Sequence, residues 1–325
     1  MFSLKKTRES TMSFWMSNTL SGSGYVCAER DEEATKESID RLRAALDECN
    51  AVLVGAGAGL STAAGLEYSG KRFNENFADF RDAYGIHDMY SGGFYPFPDL
   101  ETYWAWWSRH IWINRYAVGA TKPYKELLEL VQDKDYFVLT TNVDHQFQLA
   151  GFDKNRLFYT QGDYGSFQCS YPCTEETYDN EDAIRAMMDE QPTMHVSSDL
   201  VPKCPHCGAP MTTHLRIDGR FVEDKGWQDA SYRYEKFRQE HKHDKILYLE
   251  LGVGDNTPVI IKYPFWDATA RNENAIYACV NLGESCAPAK IANQSILIDD
   301  DINIVLNNLF LPLNQREIDH IFEKE

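Results

Sequence analysis

A short apolar run that breaks into alternating glycines constrains the fold of this chain more than any other feature. Residues 51–54 are Ala-Val-Leu-Val, Gly55, Gly57 and Gly59 follow, and small residues continue over 60–66. A strand, a glycine turn and a helix in this order form the first unit of a nucleotide-binding α/β fold. The tight glycine spacing differs from the fingerprint of dehydrogenases, and no acidic residue closes a following strand to hold a ribose. Both features disfavour an oxidoreductase.

Other apolar runs and helical periods alternate along the chain. They predict strands at 136–139, 246–251, 259–261, 276–280 and 296–298, and helices at 34–48, 103–116, 125–131 and 300–310. Strands that alternate with helices indicate a doubly wound, mostly parallel α/β sheet of the Rossmann-like kind.

Residues 67–103 differ from this pattern because they are rich in Gly, aromatic and polar residues and lack a long period. A stretch of this length suits a lid over a ligand. The following segment, 103–116, contains four tryptophans and predicts a small helical subdomain that buries them. A groove for an acyl chain or a partner loop is the alternative interpretation.

Four cysteines in two close pairs predict a small inserted zinc module. Cys169 and Cys173 are four positions apart, and Cys204 and Cys207 follow after thirty intervening residues. Four thiolates can converge on one tetrahedral zinc ion and leave no open position, so the metal is expected to be structural. Cys27, Cys49, Cys279 and Cys286 have no close partner in the sequence and are interpreted as unpaired, small apolar side chains.

Charge and hydropathy limit the classes of binding partner that this chain is expected to have. The 32 basic and 50 acidic side chains leave a formal charge of −18, which disfavours nucleic acids and anionic membranes. No apolar run reaches the 18 or so residues that cross a bilayer. Clustered cysteines suit a reducing compartment better than a secreted disulfide scaffold, so a cytoplasmic location is expected.

The motifs together resemble those of the sirtuins. Gly57-Ala58-Gly59-Leu60-Ser61 is similar to the turn that holds the NAD pyrophosphate, and residues 140–144 (Thr-Thr-Asn-Val-Asp) to the family's Thr-Gln-Asn-Ile-Asp. Residues 252–256 resemble its Gly-Thr-Ser loop, and Asn281-Leu282 its adenosine contact. The cysteine pairs lie where the sirtuin zinc ribbon lies. The resemblance implies NAD as co-substrate, held by Gly57, Ala58, Gly59, Ser61, Tyr68, Asn142, Asp144, Gln161, Gly252, Gly254, Asp255, Asn281 and Leu282.

Two departures from the family pattern bear on the reaction. Glu67-Tyr68-Ser69-Gly70 replaces Pro-Asp-Phe-Arg, and Gln161 occupies the position of the histidine base of the deacylases. A side-chain amide does not titrate near neutral pH and cannot act as a general base. Asn142, Asp144 and Gln161 are therefore predicted to be catalytic residues of an ADP-ribosyltransferase that cleaves NAD without completing deacylation.

This pattern resembles the macrodomain-associated, class M sirtuins of microbial pathogens. The resemblance implies mono-ADP-ribosylation of a lipoylated carrier protein of the glycine-cleavage H type, reversal by a macrodomain hydrolase, and a role in the oxidative stress response. A protein deacylase that tolerates the lost histidine and a non-catalytic NAD- or ADP-ribose-binding module remain alternatives.

The expected domain organisation follows the extent of the resemblance. Residues 1–33 form a polar N-terminal extension, residues 34–310 the NAD-binding catalytic domain with the zinc module at about 165–215, and residues 311–325 a C-terminal tail.

Overall fold

The computed structural model describes residues 24–190, 193–254 and 258–310. Its strands are β1 (Tyr25–Cys27), β2 (Ala51–Ala56), β3 (Asp135–Thr140), β4 (Leu157–Tyr159), β5 (Gly162–Cys169), β6 (Tyr178–Asp179), β7 (Met211–Leu215), β8 (Ile246–Leu251), β9 (Ile276–Val280), β10 (Cys286–Pro288) and β11 (Ser295–Ile298). Its α-helices are α1 (Glu32–Glu48), α2 (Ala58–Ala63), α3 (Gly70–Tyr84), α4 (Met89–Gly93), α5 (Leu100–Ile111), α6 (Lys122–Val131), α7 (Gln146–Ala150), α8 (Glu181–Asp189), α9 (Lys225–Glu240), α10 (Lys262–Arg271) and α11 (Ile302–Phe310).

A parallel six-stranded sheet forms the centre of the fold, with strand order β11-β9-β8-β2-β3-β4. The chain moves outward from β2 to β4 on one side and from β8 to β11 on the other. The order therefore reverses between β2 and β8. Ligands of open α/β sheets bind in the crevice at the carboxyl ends of the strands where the order reverses, so this topology places a site beside Gly57 and Gly252.

The sheet is covered on both faces, which explains its continuous apolar strands. Every residue of β2 and of β8 is buried. One face packs against α1, α6 and α11, and the other against α9 and α10. The predicted doubly wound α/β fold is confirmed, and five of the predicted strand regions, 51–54, 136–139, 246–251, 276–280 and 296–298, lie in this sheet.

The strand predicted at 259–261 is wrong. These residues form a turn that leads into α10, with Ile261 buried against the sheet. A Cβ added at Gly55 would lie 2.4 Å from the Ile261 Cγ2. The apolar run at 259–261 thus covers the glycine-containing end of β2 instead of adding an edge to the sheet.

Residues 67–103 are largely helical, which corrects their interpretation as a stretch without a regular period. Helices α3 and α4 and the start of α5 lie there. Phe73, Phe77 and Phe80 are fully buried and recur at three- and four-residue spacing, which is a helical period. The neighbouring polar and glycine residues hid this period in the sequence.

The predicted helical subdomain is present. Helix α5 continues into a π-helical turn at Trp112–Tyr116, and Trp104 and Trp106 are fully buried. Phe77 packs against Trp106 with a ring-centroid distance of 4.4 Å. This core also contacts the three-stranded antiparallel sheet β6-β5-β7, in which β5 ends at Cys169, one of the clustered cysteines.

Near the N-terminus, β1 pairs antiparallel with β10, so the described part of the predicted extension includes a strand. Cys27 lies opposite Cys286 in this pair, and a disulfide joins them. The interpretation of Cys27 and Cys286 as unpaired is therefore wrong. The two cysteines are 259 residues apart in the sequence, which concealed that they are close in space. Cys279 is free and buried, whereas Cys49 is free and half-buried.

No helix within the described ranges is both long and apolar enough to cross a membrane.

Candidate active site

The carboxyl ends of β2 and β8 approach each other through glycines. Gly57 N donates to Leu251 O at 3.0 Å, and Gly59 N donates to Gly252 O at 2.9 Å. A Cβ added at Gly57 would lie 2.6 Å from Gly252 O, and one at Gly59 would lie 2.6 Å from Gly252 Cα. Gly252 itself has a φ of +62°, which favours glycine. Only glycine fits this contact, which brings the amino end of α2 to the sheet crevice.

A cavity of about 570 Å³ opens beside this contact. Its volume lies in the ordinary range for cofactor and small-molecule sites. Eight of the predicted site residues line it: Gly57, Ala58, Ser61, Tyr68, Asn142, Asp144, Gln161 and Gly254.

Four polar side chains form one directed hydrogen-bond chain at this cavity. Asn142 Nδ2 donates to the Tyr124 hydroxyl (3.1 Å) and to Gly57 O (2.9 Å). The Tyr124 and Ser61 hydroxyls are 2.8 Å apart, and Ser61 donates to Asp144 Oδ2 at 2.5 Å. Because Ser61 gives its single hydrogen to Asp144, Tyr124 donates to Ser61. The chain thus links the amide of Asn142 to the carboxylate of Asp144.

Asp144 is a buried carboxyl, 6% exposed. Burial raises its pKa, while hydrogen bonds from Ser61 and from the Gln146 backbone N–H oppose this increase by favouring the charged form. The two hydrogen bonds also fix the carboxylate beside Asn142. A negative charge held in this way can stabilise positive charge that develops on a bound ligand.

Gln161 lies at the end of β4, across the sheet edge from the loop that carries Asn142. Its Nε2 donates to Thr160 Oγ1 at 3.1 Å, and its backbone oxygen accepts from Arg216 N at 3.0 Å. The side chain lines the cavity. Gln161, which was predicted to replace a histidine base, therefore lines the same cavity as Asn142 and Asp144.

Tyr68, Tyr164 and His110 form a polar wall of the cavity that no sequence motif predicts. The Tyr68 and Tyr164 hydroxyls are 2.6 Å apart, and the Tyr164 hydroxyl lies 2.8 Å from His110 Nε2. All three residues line the cavity. Of these three residues, only Tyr68 was predicted to be a site residue. His110 lies within the aromatic pattern of α5. Tyr164 follows the departure from the family pattern at Gln161, and the sequence does not show which residues it contacts.

The predicted adenosine contacts lie farther along the crevice. Asn281 follows β9, where its Nδ2 donates to Val253 O at 3.2 Å, and Leu282 is 60% exposed. Neither lines the cavity described above. Asp255 lies outside the described residues.

His145 follows Asp144 and has a left-handed backbone, with φ +66°. Its Nδ1 lies 2.5 Å from Asp163 Oδ2, and Arg115 Nε lies 3.3 Å from Asp163 Oδ1. The ion pair and hydrogen bond from His145 lower the pKa of Asp163 against the effect of burial. His145 does not line the cavity, and its contact connects the strand-end loop to β5.

The four predicted zinc ligands come together. The sulfur atoms of Cys169, Cys173, Cys204 and Cys207 lie within 4.8 Å of one another, with Cys169–Cys207 at 3.6 Å and Cys173–Cys204 at 3.5 Å. Tetrahedral zinc with Zn–S bonds near 2.3 Å needs sulfur separations of about 3.8 Å. The cluster is therefore compatible with zinc.

Local backbone geometry supports this cluster. Gly208 has a φ of +72°, and its N–H donates to Cys204 O at 2.9 Å. The backbone N–H groups of Cys207 and His206 face the Cys204 sulfur and lower the pKa of Cys204 to about 6. The His206 ring lies 2.9 Å from Glu176 and not in the sulfur cluster.

Comparison with known proteins supplies related sequences. No protein-family model matches the chain. The chain is 38% identical over 276 residues to a protein ADP-ribosyltransferase of Staphylococcus aureus, with 85% of this chain and 87% of that protein covered. It is 29% identical over 256 residues to a probable bifunctional ADP-ribose hydrolase/ADP-ribosyltransferase of Fusarium oxysporum f. sp. cubense. That alignment covers 75% of this chain and 42% of the fungal protein.

Solved structures with a similar fold are Sir2 proteins. Sir2Tm bound to a propionylated peptide matches with a TM-score of 0.56 at 19% identity, covering 83% of this chain and 96% of that chain. Sir2 with a p53 peptide and NAD⁺ matches with a TM-score of 0.52 at 17% identity, covering 86% and 99%. At these identities the likeness concerns the fold alone.

Proposed function

Because this chain belongs to the protein ADP-ribosyltransferases and has the sirtuin fold, we propose that it transfers one ADP-ribosyl group from NAD to a lipoylated carrier protein of the glycine-cleavage H type. NAD-dependent ADP-ribosyl transfer is the activity of the family. The acceptor and the residue roles are the parts that we propose.

The observation that carries the proposal is the composition of the cavity. Gln161 lines it together with Asn142 and Asp144. An amide cannot deprotonate a ribose hydroxyl, which deacylation requires after nicotinamide has left. Capture of the sugar by an external nucleophile has no such requirement.

Transfer breaks one bond and forms one. The bond between nicotinamide and ribose C1′ breaks with its electron pair going to nicotinamide, and a lone pair of the acceptor nucleophile forms the new bond to C1′. The proton of the nucleophile passes to solvent. NAD supplies the activated sugar, because its positively charged pyridinium ring leaves as neutral nicotinamide.

The residues of this chain orient and stabilise. Asp144, charged and held by Ser61 and Gln146, stabilises positive charge at the sugar. Asn142 uses its nitrogen for Gly57 and Tyr124, so its oxygen serves the carboxamide or a ribose hydroxyl. Gln161 hydrogen-bonds a ribose hydroxyl or positions the acceptor.

The rim of the cavity suits an aliphatic acceptor arm. Tyr90, Phe94 and Ile217 line the cavity and are 59%, 55% and 49% exposed. Exposed apolar side chains around a polar site favour a substrate that has an apolar stem and a reactive head. A lipoyl group has this character, and it is the acceptor group that the resemblance to the class M sirtuins implies.

Further parts of the proposal concern the setting. A macrodomain hydrolase removes the modification, which is in keeping with a fungal relative whose name combines hydrolase and transferase activities. One structural zinc ion is held by Cys169, Cys173, Cys204 and Cys207. The domain boundaries, the cytoplasmic location and the link to oxidative stress stay predictions.

Intact-mass analysis of the acceptor tests the function. The chain is incubated with NAD and either the lipoylated carrier, the same carrier without lipoate, or an acetylated peptide. One added ADP-ribosyl group on the lipoylated carrier alone is the expected result. Release of deacetylated peptide with acylated ADP-ribose, or cofactor binding without any product, would contradict it.

Two variants sharpen this test. Asn142→Ala is expected to lower transfer by at least about 100-fold, while the exposed control Asn155→Ala leaves it unchanged. Gln161→His tests whether residue 161 alone separates transfer from deacylation. Robust deacetylation by Gln161→His would support that role, whereas unchanged transfer by Asn142→Ala would exclude the proposed one for Asn142.

A further inference from the structure

Three side chains from three separate elements meet in one hydrogen-bonded row at the cavity wall. His110 lies on α5, Tyr164 on β5 and Tyr68 on the segment between α2 and α3. The contacts are 2.8 Å from His110 Nε2 to the Tyr164 hydroxyl and 2.6 Å from that hydroxyl to the Tyr68 hydroxyl. His110 and Tyr164 are 2% and 4% exposed, so the bond between them is shielded from water, whereas Tyr68 is half-buried.

The charge state of His110 is fixed by its surroundings. Burial, with a smaller contribution from the Arg72 guanidinium, lowers the pKa of His110 to about 3. The imidazole is therefore neutral near pH 7 and carries one ring N–H. The other titratable and charged groups that act on the row are Asp144, which raises the pKa values of both tyrosines, and Arg72, which lowers them.

The position of that single hydrogen gives the row a direction. His110 Nδ1 is buried and has no hydrogen-bond partner among the described residues. A buried N–H without an acceptor is rarer in proteins than an unpaired acceptor atom. The hydrogen is thus on Nε2, which donates to the Tyr164 oxygen. Tyr164 then donates to the Tyr68 oxygen, and Tyr68 retains its own hydrogen for a further acceptor.

No described residue accepts that last hydrogen, since within the described ranges the Tyr68 hydroxyl is hydrogen-bonded to Tyr164 alone. Two neighbouring side chains in the cavity, Asn142 and Asp144, offer the opposite polarity. Asn142 has committed both amide hydrogens to Gly57 and Tyr124, and Asp144 is a carboxylate. A ligand that bears donors and acceptors needs a donor from the protein, and Tyr68 supplies one.

We propose that His110 and Tyr164 are positioning residues that hold the Tyr68 hydroxyl as a hydrogen-bond donor to an uncharged oxygen on the nicotinamide-riboside half of NAD. The inference rests on the proposed function for the identity of the ligand. Phosphate is disfavoured at this point because Asp144 acts electrostatically on Tyr68 and Glu67 lines the same cavity. The carboxamide oxygen and the ribose oxygens share the required chemistry.

Binding measurements test the row without any acceptor protein. Dissociation constants for NAD and for ADP-ribose are measured by calorimetry for the wild type, Tyr68→Phe, His110→Met, His110→Gln and the Tyr68→Phe/His110→Met double variant. Tyr68→Phe is expected to weaken NAD binding about 5- to 10-fold, the value of one hydrogen bond. An equal loss for ADP-ribose assigns the ribose oxygen, and a loss for NAD alone assigns the carboxamide.

The double variant separates positioning from a general structural effect. His110→Met is expected to weaken NAD binding in the wild-type chain but to add little when Tyr68 is already Phe. His110→Gln retains a donor and is expected to restore most of the affinity. Tyr103→Phe is the matched control, because Tyr103 is on the same helix and bonds Thr212 outside the cavity. It should leave affinity unchanged.

Two results would overturn the inference. One is wild-type affinity of Tyr68→Phe for both ligands. The other is a loss from His110→Met that is as large in the Tyr68→Phe background as in the wild type. The proposed function is tested separately, since it fails if the wild-type chain itself does not bind NAD or modifies no carrier.

Discussion

Replacing Gly59 by Ala should disturb both stability and NAD binding, because the new methyl group meets main chain and not a flexible side chain. The added Cβ would lie 2.6 Å from Gly252 Cα and 3.0 Å from Gly252 O. Ordinary contact begins at 3.4 Å, so the two loops must separate by at least 0.8 Å. That movement lengthens the 2.9 Å bond from Gly59 N to Gly252 O beyond the usual range of about 3.2 Å.

The expected cost follows from overpacking, about 1–3 kcal/mol of the free energy of unfolding. Displacement at the amino end of α2 also moves the backbone N–H groups that would hold the NAD phosphates, so affinity should fall at least about tenfold. Denaturant unfolding and calorimetric titration with NAD measure the two effects. Gly119→Ala is the control, because nothing lies within 4 Å of its added Cβ. Unfolding and NAD binding of Gly59→Ala that match those of Gly119→Ala would contradict the predicted clash.

Four other perturbations have defined outcomes. Reducing the Cys27–Cys286 disulfide should lower the free energy of unfolding by up to about 5 kcal/mol, because the bond closes a loop of 259 residues. Equal denaturation midpoints with and without dithiothreitol would contradict this. As a control, Cys49→Ser should change neither midpoint. Lys262→Met leaves the fully buried Glu250 carboxylate without its 3.0 Å ion pair and should cost about 3–5 kcal/mol, whereas Lys225→Met, in an exposed pair, should cost less than about 1 kcal/mol. Cys204→Ser should remove bound zinc, measured by metal analysis, and lower the melting temperature, and an unchanged melting temperature argues against a structural metal. Because burial raises the pKa of Asp144 above 3.8, Asp144 takes up a proton at a higher pH than an exposed aspartate does, and kcat/KM for transfer should decline as the pH falls through that range. Asp144→Asn should abolish this decline at acidic pH. A pH profile of Asp144→Asn that matches the wild type would rule out Asp144 as its source.

The central sheet could be predicted because each of its inner strands is a short apolar run bounded by turn residues. Parallel strands covered on both faces require such runs, and β2, β8 and β9 follow this rule. The same rule produced the wrong strand at 259–261, since three apolar residues can equally cover a sheet from a turn. Length alone did not distinguish the two arrangements.

The candidate site was predictable where chemistry depends on residue type at a strand end. Asn142, Asp144 and Gln161 follow β3 and β4, and neighbouring parallel strands bring their carboxyl ends to one edge. His110 and Tyr164 could not be found in this way. They reach the cavity from the helical and antiparallel modules, whose placement depends on packing between Trp104 and Phe167 and on other contacts distant in sequence.

The pairing of β1 with β10 determines how the chain can be shortened. A form that starts at residue 34, where the sequence pattern places the catalytic domain, loses Tyr25–Cys27 and leaves Cys286 as a thiol on an unprotected strand edge. Strand edges without a partner pair with other molecules, and a half-exposed thiol can join two of them covalently. A shortened chain that keeps β1 and its disulfide must therefore begin no later than residue 24.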